Sequence, residues 1–306
     1  MNISFEAYKN CTLCPRECHV DRTVAKGFCG ADASLYVARA ALHMWEEPCI
    51  SGTEGSGAVF FSGCNLHCVY CQNSEISGGL TGKEITIERL SQIFLELQAK
   101  KANNINLVTG GHYIPHIISA LDLAKGNGLN IPIVYNTSSY EKPSAIEQLK
   151  GYVDVFLPDY KYTDSNLASL YSKAPNYPET AANAISKMLE ITGKPVFDSS
   201  TGLIQKGVIV RVLVLPEHTR DAINSIRYLY STFQDDIYIS IMSQYTPILS
   251  NIPEGKPYEC LKRPITRREY DKVVNSALDM GIKNAFIQEG KVCSESFIPA
   301  FDNEGV

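Results

Sequence analysis

The chain has 306 residues, a formal net charge of −5, and 44% hydrophobic against 20% charged residues, the profile of an ordinary globular protein able to bury a large core. This balance lacks the basic stripe of a nucleic-acid-binding surface, so no nucleic acid partner is expected. The longest apolar run, 208–215, is broken by Arg211 and is far too short to span a bilayer. Residues 1–10 hold no apolar stretch behind a basic start, so a cytoplasmic protein without a membrane partner is expected.

In chain order, residues 1–55 come first and read as a loop-rich cap that holds Cys11, Cys14, Cys18 and Cys29. The chain has ten cysteines, seven of them in two tight groups, the second being Cys64, Cys68 and Cys71. A disulfide scaffold does not suit a chain of this length without a secretion signal. Four thiolates at the spacing of the first group can close a zinc tetrahedron or ligate a second 4Fe–4S cluster, with free thiols as the plain alternative. An anaerobic context favours the cluster. A metal staple explains how so loop-rich a segment folds, which tips the expectation towards zinc. Cys49, Cys260 and Cys293 are isolated and read as buried apolar thiols.

From Gly57 onward, short apolar runs alternate with amphipathic helices. Strands are expected at 58–62, 104–108, 131–136, 153–158, 208–215 and 237–242, with a possible last one at 284–288. Continuous apolar runs are the mark of strands buried on both faces of a parallel sheet. One intervening helix starts at Pro178, turns Ala181, Ile185, Met188 and Leu189 inward and stops at Gly193. Another opens with a capping box, Thr266 to Glu269, and ends at Gly281. The alternation predicts an α/β domain over 56–306 with too few units for a closed eightfold barrel. A partial parallel barrel fits better. The proline-rich stretch 244–264 reads as a long loop of the kind that shapes active sites.

Directly after the first strand of that series comes Cys64-Asn-Leu-His-Cys68-Val-Tyr70-Cys71. Three thiolates can hold three irons of a cubane and leave the fourth open to a chelating ligand. A structural zinc needs four ligands, and no fourth Cys or His follows at a suitable spacing. His67 lies between two ligands, where its ring is expected to point away.

The C-x3-C-x2-C motif with Tyr70 resembles the signature of the radical S-adenosylmethionine (SAM) superfamily. The segments 43–48, 50–52, 57–73, 108–113, 136–141, 154–162, 214–216 and 242–247 resemble one branch, the iron–sulfur proteins related to pyruvate formate-lyase activating enzyme. The resemblance implies a partial (β/α)6 parallel barrel of radical SAM type with cluster and substrate at the C-terminal ends of the strands. It implies that Thr109, Gly110 and Gly111 receive the methionine amino group of SAM, and glycines suit a close approach of ligand to main chain. His112 stands where the family carries Glu. Asn136 and Thr137 match residues that contact the methionine end of the cofactor. Asp159 and Lys161 match an Asp-x-Lys pair, and Lys161 can pair with the methionine carboxylate. Simpler readings stay open: a tight turn at Gly110 and Gly111, and an ordinary salt bridge at Asp159 and Lys161.

Arg211, a lone charge in an apolar strand, is expected in a polar barrel mouth or in a local pair. His218, Gln244 and Tyr245 are further candidates for lining the site, or parts of loop structure. The expected activity is reductive cleavage of SAM to a 5′-deoxyadenosyl radical that abstracts hydrogen from a small-molecule, peptide or protein substrate. A glycyl-radical activase is the alternative within the family, although activases with extra clusters carry them after the radical motif. A protein whose clusters only pass electrons is the competing class, set aside because such proteins are short and ligate every iron with cysteine. The expected electron donor is a flavodoxin or ferredoxin.

Overall fold

The computed structural model describes residues 5–79, 81–288 and 299–306. Its core is a sheet built from β1 (Leu35–His43), β2 (Ser56–Phe61), β3 (Lys83–Ile85), β4 (Ile105–Val108), β5 (Ile133–Thr137), β6 (Val155–Pro158), β7 (Val196–Phe197), β8 (Ile204–Leu213), β9 (Tyr238–Met242) and β10 (Ala285–Ile287). The order is β10-β9-β8-β6-β5-β4-β2-β1-β3, with β7 beside β8. Along that order every neighbour pair from β10 to β2 is parallel, β7 runs antiparallel to β8, and β1 closes the other side antiparallel to β2 and β3.

The parallel strands are those read from the apolar runs. Every residue of β2, β4, β5 and β6 is buried, because helices cover the outer face while the inner face packs within the sheet. The boundaries move by a few residues: β8 begins at Ile204 and ends at Leu213, against 208–215 from sequence. The helix over Tyr177–Thr192 ends on Gly193, whose φ is +70°. The capping box forms, with the amide of Glu269 donating to the Thr266 hydroxyl and the amide of Thr266 to the Glu269 carboxylate.

One strand lies where the sequence reads as loop. Leu35–His43 sits in segment 1–55 yet pairs with β2 along most of its length. Its three alanines and its histidine carry little strand preference of their own, and the partner strand imposes the conformation. Residues 5–34 pack against the loops that follow β2 and β4, through Cys29 and Phe28 on the first and Arg22 on the second, so the cysteines they carry lie next to the loop that follows β2. Among the described residues, no helix is long and apolar enough to cross a membrane.

Candidate active site

The chain leaves β2 at Phe61 and turns into the loop that carries Cys64, Cys68 and Cys71. Gly63 allows the turn: its φ is +93°, and a Cβ there would come within 2.7 Å of the Cys29 carbonyl oxygen. The three thiols open on one cleft at the C-terminal ends of the parallel strands, lined also by Tyr70, Thr109, Asn136, Thr137, Asp159, Lys161 and Arg211. His67 turns outward, its Nε2 2.9 Å from the Phe28 carbonyl.

The main chain folds amides onto sulfur. The amide of Leu66 donates to Cys64 Sγ at 3.4 Å, that of Asn73 donates to Cys71, and the Ser172 hydroxyl donates to Cys68 Sγ at 3.1 Å. Ser172 is held by Tyr162 (2.8 Å), whose hydroxyl meets that of Tyr70 (2.6 Å). Burial pushes the Cys71 thiol up to about 12, with the Cys68 and Cys64 sulfurs adding to the shift. Burial also raises Cys68, against the pull of Lys161. Three half-buried thiols, each with a hydrogen bond aimed at sulfur, are a donor set suited to a metal centre whose positive charge makes them thiolates.

Opposite the thiols lies a network of charges whose side chains are 10% to 20% exposed. Arg211 donates through Nε to Asp159 Oδ1 (2.8 Å), through Nη1 to Glu46 Oε2 (3.2 Å) and through Nη2 to Asn136 Oδ1 (2.6 Å). Asp159 Oδ2 accepts from Lys161 Nζ at 2.7 Å. Glu46 Oε1 accepts from Asn106 (3.0 Å) and Asn136 (3.3 Å). Burial works to raise the Asp159 carboxyl, but Arg211 and Lys161 together hold it below the usual range. Burial wins at Glu46 and Glu47, both raised against the pull of Arg211. Lys161 is thus half-buried on the thiol side of the network and charged, held so by Asp159 against the effect of burial. Sequence reasoning singled out Asp159, Lys161, Asn136 and Arg211 but not Glu46, Glu47 or Asn106. The two glutamates lie within the family-like segment 43–48, which is the only signal that pointed to them.

Thr109 lies on the cleft in a left-handed conformation, φ +60°. Gly110, Gly111 and His112 turn away from the lining. A Cβ on Gly111 would strike the Glu141 carboxylate at 2.3 Å, so this glycine makes room for a buried acid that sequence reasoning also missed. Glu141 accepts from Thr137 Oγ1 (2.9 Å) and Tyr135 (3.2 Å), and burial raises it to about 7. His112 is buried with Nε2 2.8 Å from the Ser62 carbonyl. Burial, then the nearby Arg22, lowers it to about 3, so the ring is neutral and donates that bond. Its side chain holds the start of the cysteine loop.

Cys11, Cys14 and Cys29 are buried and Cys18 is half-buried. The side chains of Cys18 and Cys11 are hydrogen-bonded, and amides two residues on, those of Arg16, Val20 and Ala31, donate to Cys14, Cys18 and Cys29. Among the described residues, no three His, Cys, Asp or Glu side chains stand in the tight arrangement of a single bound ion. Cys49 is buried, Cys260 is half-buried 3.6 Å from His218 Nε2, and Cys293 lies outside the described residues. His218 bonds to Tyr171, Tyr245 is buried on the Leu261 carbonyl, and Gln244 lines the cleft.

Residues 58–226 match the Radical SAM superfamily. The chain belongs to this superfamily. Such a fold carries a 4Fe–4S cluster and SAM. A relative from Methanocaldococcus jannaschii, an uncharacterised protein, is 30% identical over 284 residues, covering 90% of this chain and 77% of its own. The pyruvate formate-lyase-activating enzyme of Clostridium pasteurianum is 33% identical over 113 residues, covering 35% of this chain and 46% of its own. The chain therefore spans about half the length of that enzyme. A radical SAM methyltransferase from Sphaerobacter thermophilus has the same fold, with a TM-score of 0.50 at 14% identity over 76% of this chain and 66% of its own. The α/β partial barrel expected from the alternation of strands and helices, and of radical SAM type as the resemblance implied, is the fold of this chain.

Proposed function

We propose that this radical SAM protein cleaves SAM reductively, with Cys64, Cys68 and Cys71 holding the cluster. The observation that carries the reading is the convergence of those thiols with Thr109, Asn136, Thr137, Asp159 and Lys161 on one cleft. When bound, the cluster supplies one electron that breaks a sulfur–carbon bond of SAM and releases the 5′-deoxyadenosyl radical. Lys161, fixed by Asp159, offers its ammonium to the methionine carboxylate. Asn136 and Thr137 offer amide and hydroxyl groups to the methionine end, and Thr109 offers its main chain to the amino group. Arg211 and Glu46 set the position of Asp159 and Asn136.

The substrate is a small molecule, peptide or protein from which a hydrogen atom is taken. The partial match to the activating enzyme supports a second reading, a glycyl radical enzyme as the substrate. It ranks below the open one because the match covers 35% of the chain and His112 replaces the family Glu. The electron donor on this reading is a flavodoxin or ferredoxin. For Cys11, Cys14, Cys18 and Cys29 we propose a second metal, zinc in preference to a second 4Fe–4S cluster. Amide-to-sulfur bonds two residues on, shared by this group and the cluster loop, support it. Such bonds stabilise thiolate charge.

The test is anaerobic reconstitution with iron and sulfide, followed by metal analysis and EPR of the reduced protein with and without SAM. About four irons and a SAM-dependent change of the EPR signal are expected. An intact reduced cluster that ignores SAM would favour a purely electron-transferring protein.

A further inference from the structure

The loop between Cys64 and Cys68 is held from outside by residues of the cysteine-rich cap. The amide of Cys64 donates to the Cys29 carbonyl at 3.0 Å. The central element of this grip is Arg16, which lies between Cys14 and Cys18. Its Nε donates to the Asn65 carbonyl at 2.8 Å and its Nη2 reaches the Leu66 carbonyl at 3.4 Å. The same guanidinium donates to the carbonyls of Ser172 (3.0 Å) and Lys173 (2.5 Å). These are the open end of the helix Ser165–Ser172, where Lys173 leaves in a left-handed turn. Carbonyls at a helix end lack partners within the helix and favour a cation. The guanidinium also lies 4.2 Å from the ring centroid of Phe28 and 4.9 Å from that of Tyr140, which fixes its plane.

Among the described residues, no carboxylate forms an ion pair with Arg16, and its hydrogen bonds all go to main-chain carbonyls. Both segments it joins carry contacts to cysteine sulfur: the Leu66 amide to Cys64, and the Ser172 hydroxyl to Cys68. We infer that Arg16 is a positioning residue for the iron–sulfur cluster, tying the Cys64–Cys68 loop to the end of the Ser165–Ser172 helix. This rests on the reading of Cys64, Cys68 and Cys71 as cluster ligands. A lysine cannot replace the fork, because one ammonium reaches one carbonyl pair and not both.

The experiment compares anaerobically reconstituted full-length wild type, Arg16→Ala, Arg16→Lys and Lys142→Ala. Lys142 tethers the cap at Glu17 and the Thr12 carbonyl without touching the cluster loop. Loss of iron to a chelator is timed, and the EPR signal of the reduced cluster is recorded with SAM. Arg16→Ala should lose iron about tenfold faster or more, the usual cost of removing an outer support of a metal ligand, with an altered EPR signal. Arg16→Lys should be intermediate, and Lys142→Ala should match wild type. Wild-type retention and EPR in either folded Arg16 variant would overturn the inference; if Arg16→Ala fails to fold, Arg16→Lys decides. Equal loss in Lys142→Ala would also overturn it, by tracing the effect to general loosening of the cap. Wild type without cluster iron would instead remove the ligand assignment beneath it.

Discussion

Arg211 on β8 and Asp159, just beyond the end of β6, are partners across neighbouring strands, with Nε and Oδ1 2.8 Å apart and a main-chain bridge beside them. The pair sets the polarity of the cleft, because Arg211 also faces Glu46 and Asn136 while Asp159 hands its second oxygen to Lys161. Removing the arginine leaves Glu46, Glu47 and Asp159 buried with Lys161 as the remaining cation of the network. Breaking a buried pair on one side costs about 3–5 kcal/mol. Arg211→Met should therefore lower Tm by about 10 °C, read by calorimetry. An unchanged Tm would mean that these charges are compensated elsewhere.

His112 separates a structural from a cofactor role by charge. The ring donates to the Ser62 carbonyl, and Arg22 donates to the His112 carbonyl at 2.7 Å. Restoring the family residue with His112→Glu should destabilise the protein, since a carboxylate there meets a carbonyl oxygen and must be buried unpaired. His112→Asn, which keeps a donor, should be milder. Denaturant melts of the two variants check the order. A His112→Glu protein as stable as wild type would mean that the side chain can swing into the cleft.

Glu141 should leave a mark on the pH dependence of stability. Its folded pKa, about 7, lies above the ordinary 4.5 because of burial. The folded state thus binds the proton more tightly than the unfolded state. The stabilisation from this group is full below pH 4.5 and is lost as pH rises towards 7. Glu141→Gln removes the titration. The difference in Tm between variant and wild type should shift in favour of the variant across that window and level off above it. A constant difference would contradict the assignment.

The proposed second metal is tested by Cys14→Ser. Loss of one tightly bound zinc per chain and a lower Tm are expected, with inductively coupled plasma analysis as the readout. Unchanged metal content and melting would count against a metal on Cys11, Cys14, Cys18 and Cys29.

The parallel strands were legible because burial on both faces leaves continuous apolar runs, and the Thr266–Glu269 box because capping is a local matter. The motif loop was legible because three thiolates need close spacing. What the sequence concealed depends on distant partners. β1 takes its form from β2, and Glu46 matters because Arg211, 165 positions away, needs an anion. Glu141 lies behind Gly111, which reads equally well as a turn. The departure at His112 marked a position of interest, but its target, the Ser62 carbonyl, belongs to a loop 50 residues earlier.

The most direct test of the central claim is quantitation of 5′-deoxyadenosine after reconstituted, reduced protein is incubated anaerobically with SAM, with folded Cys68→Ala as the comparison. The account predicts 5′-deoxyadenosine from wild type and none from Cys68→Ala. Substantial product from Cys68→Ala, or none from a wild type whose reduced cluster also fails to respond to SAM, would contradict it.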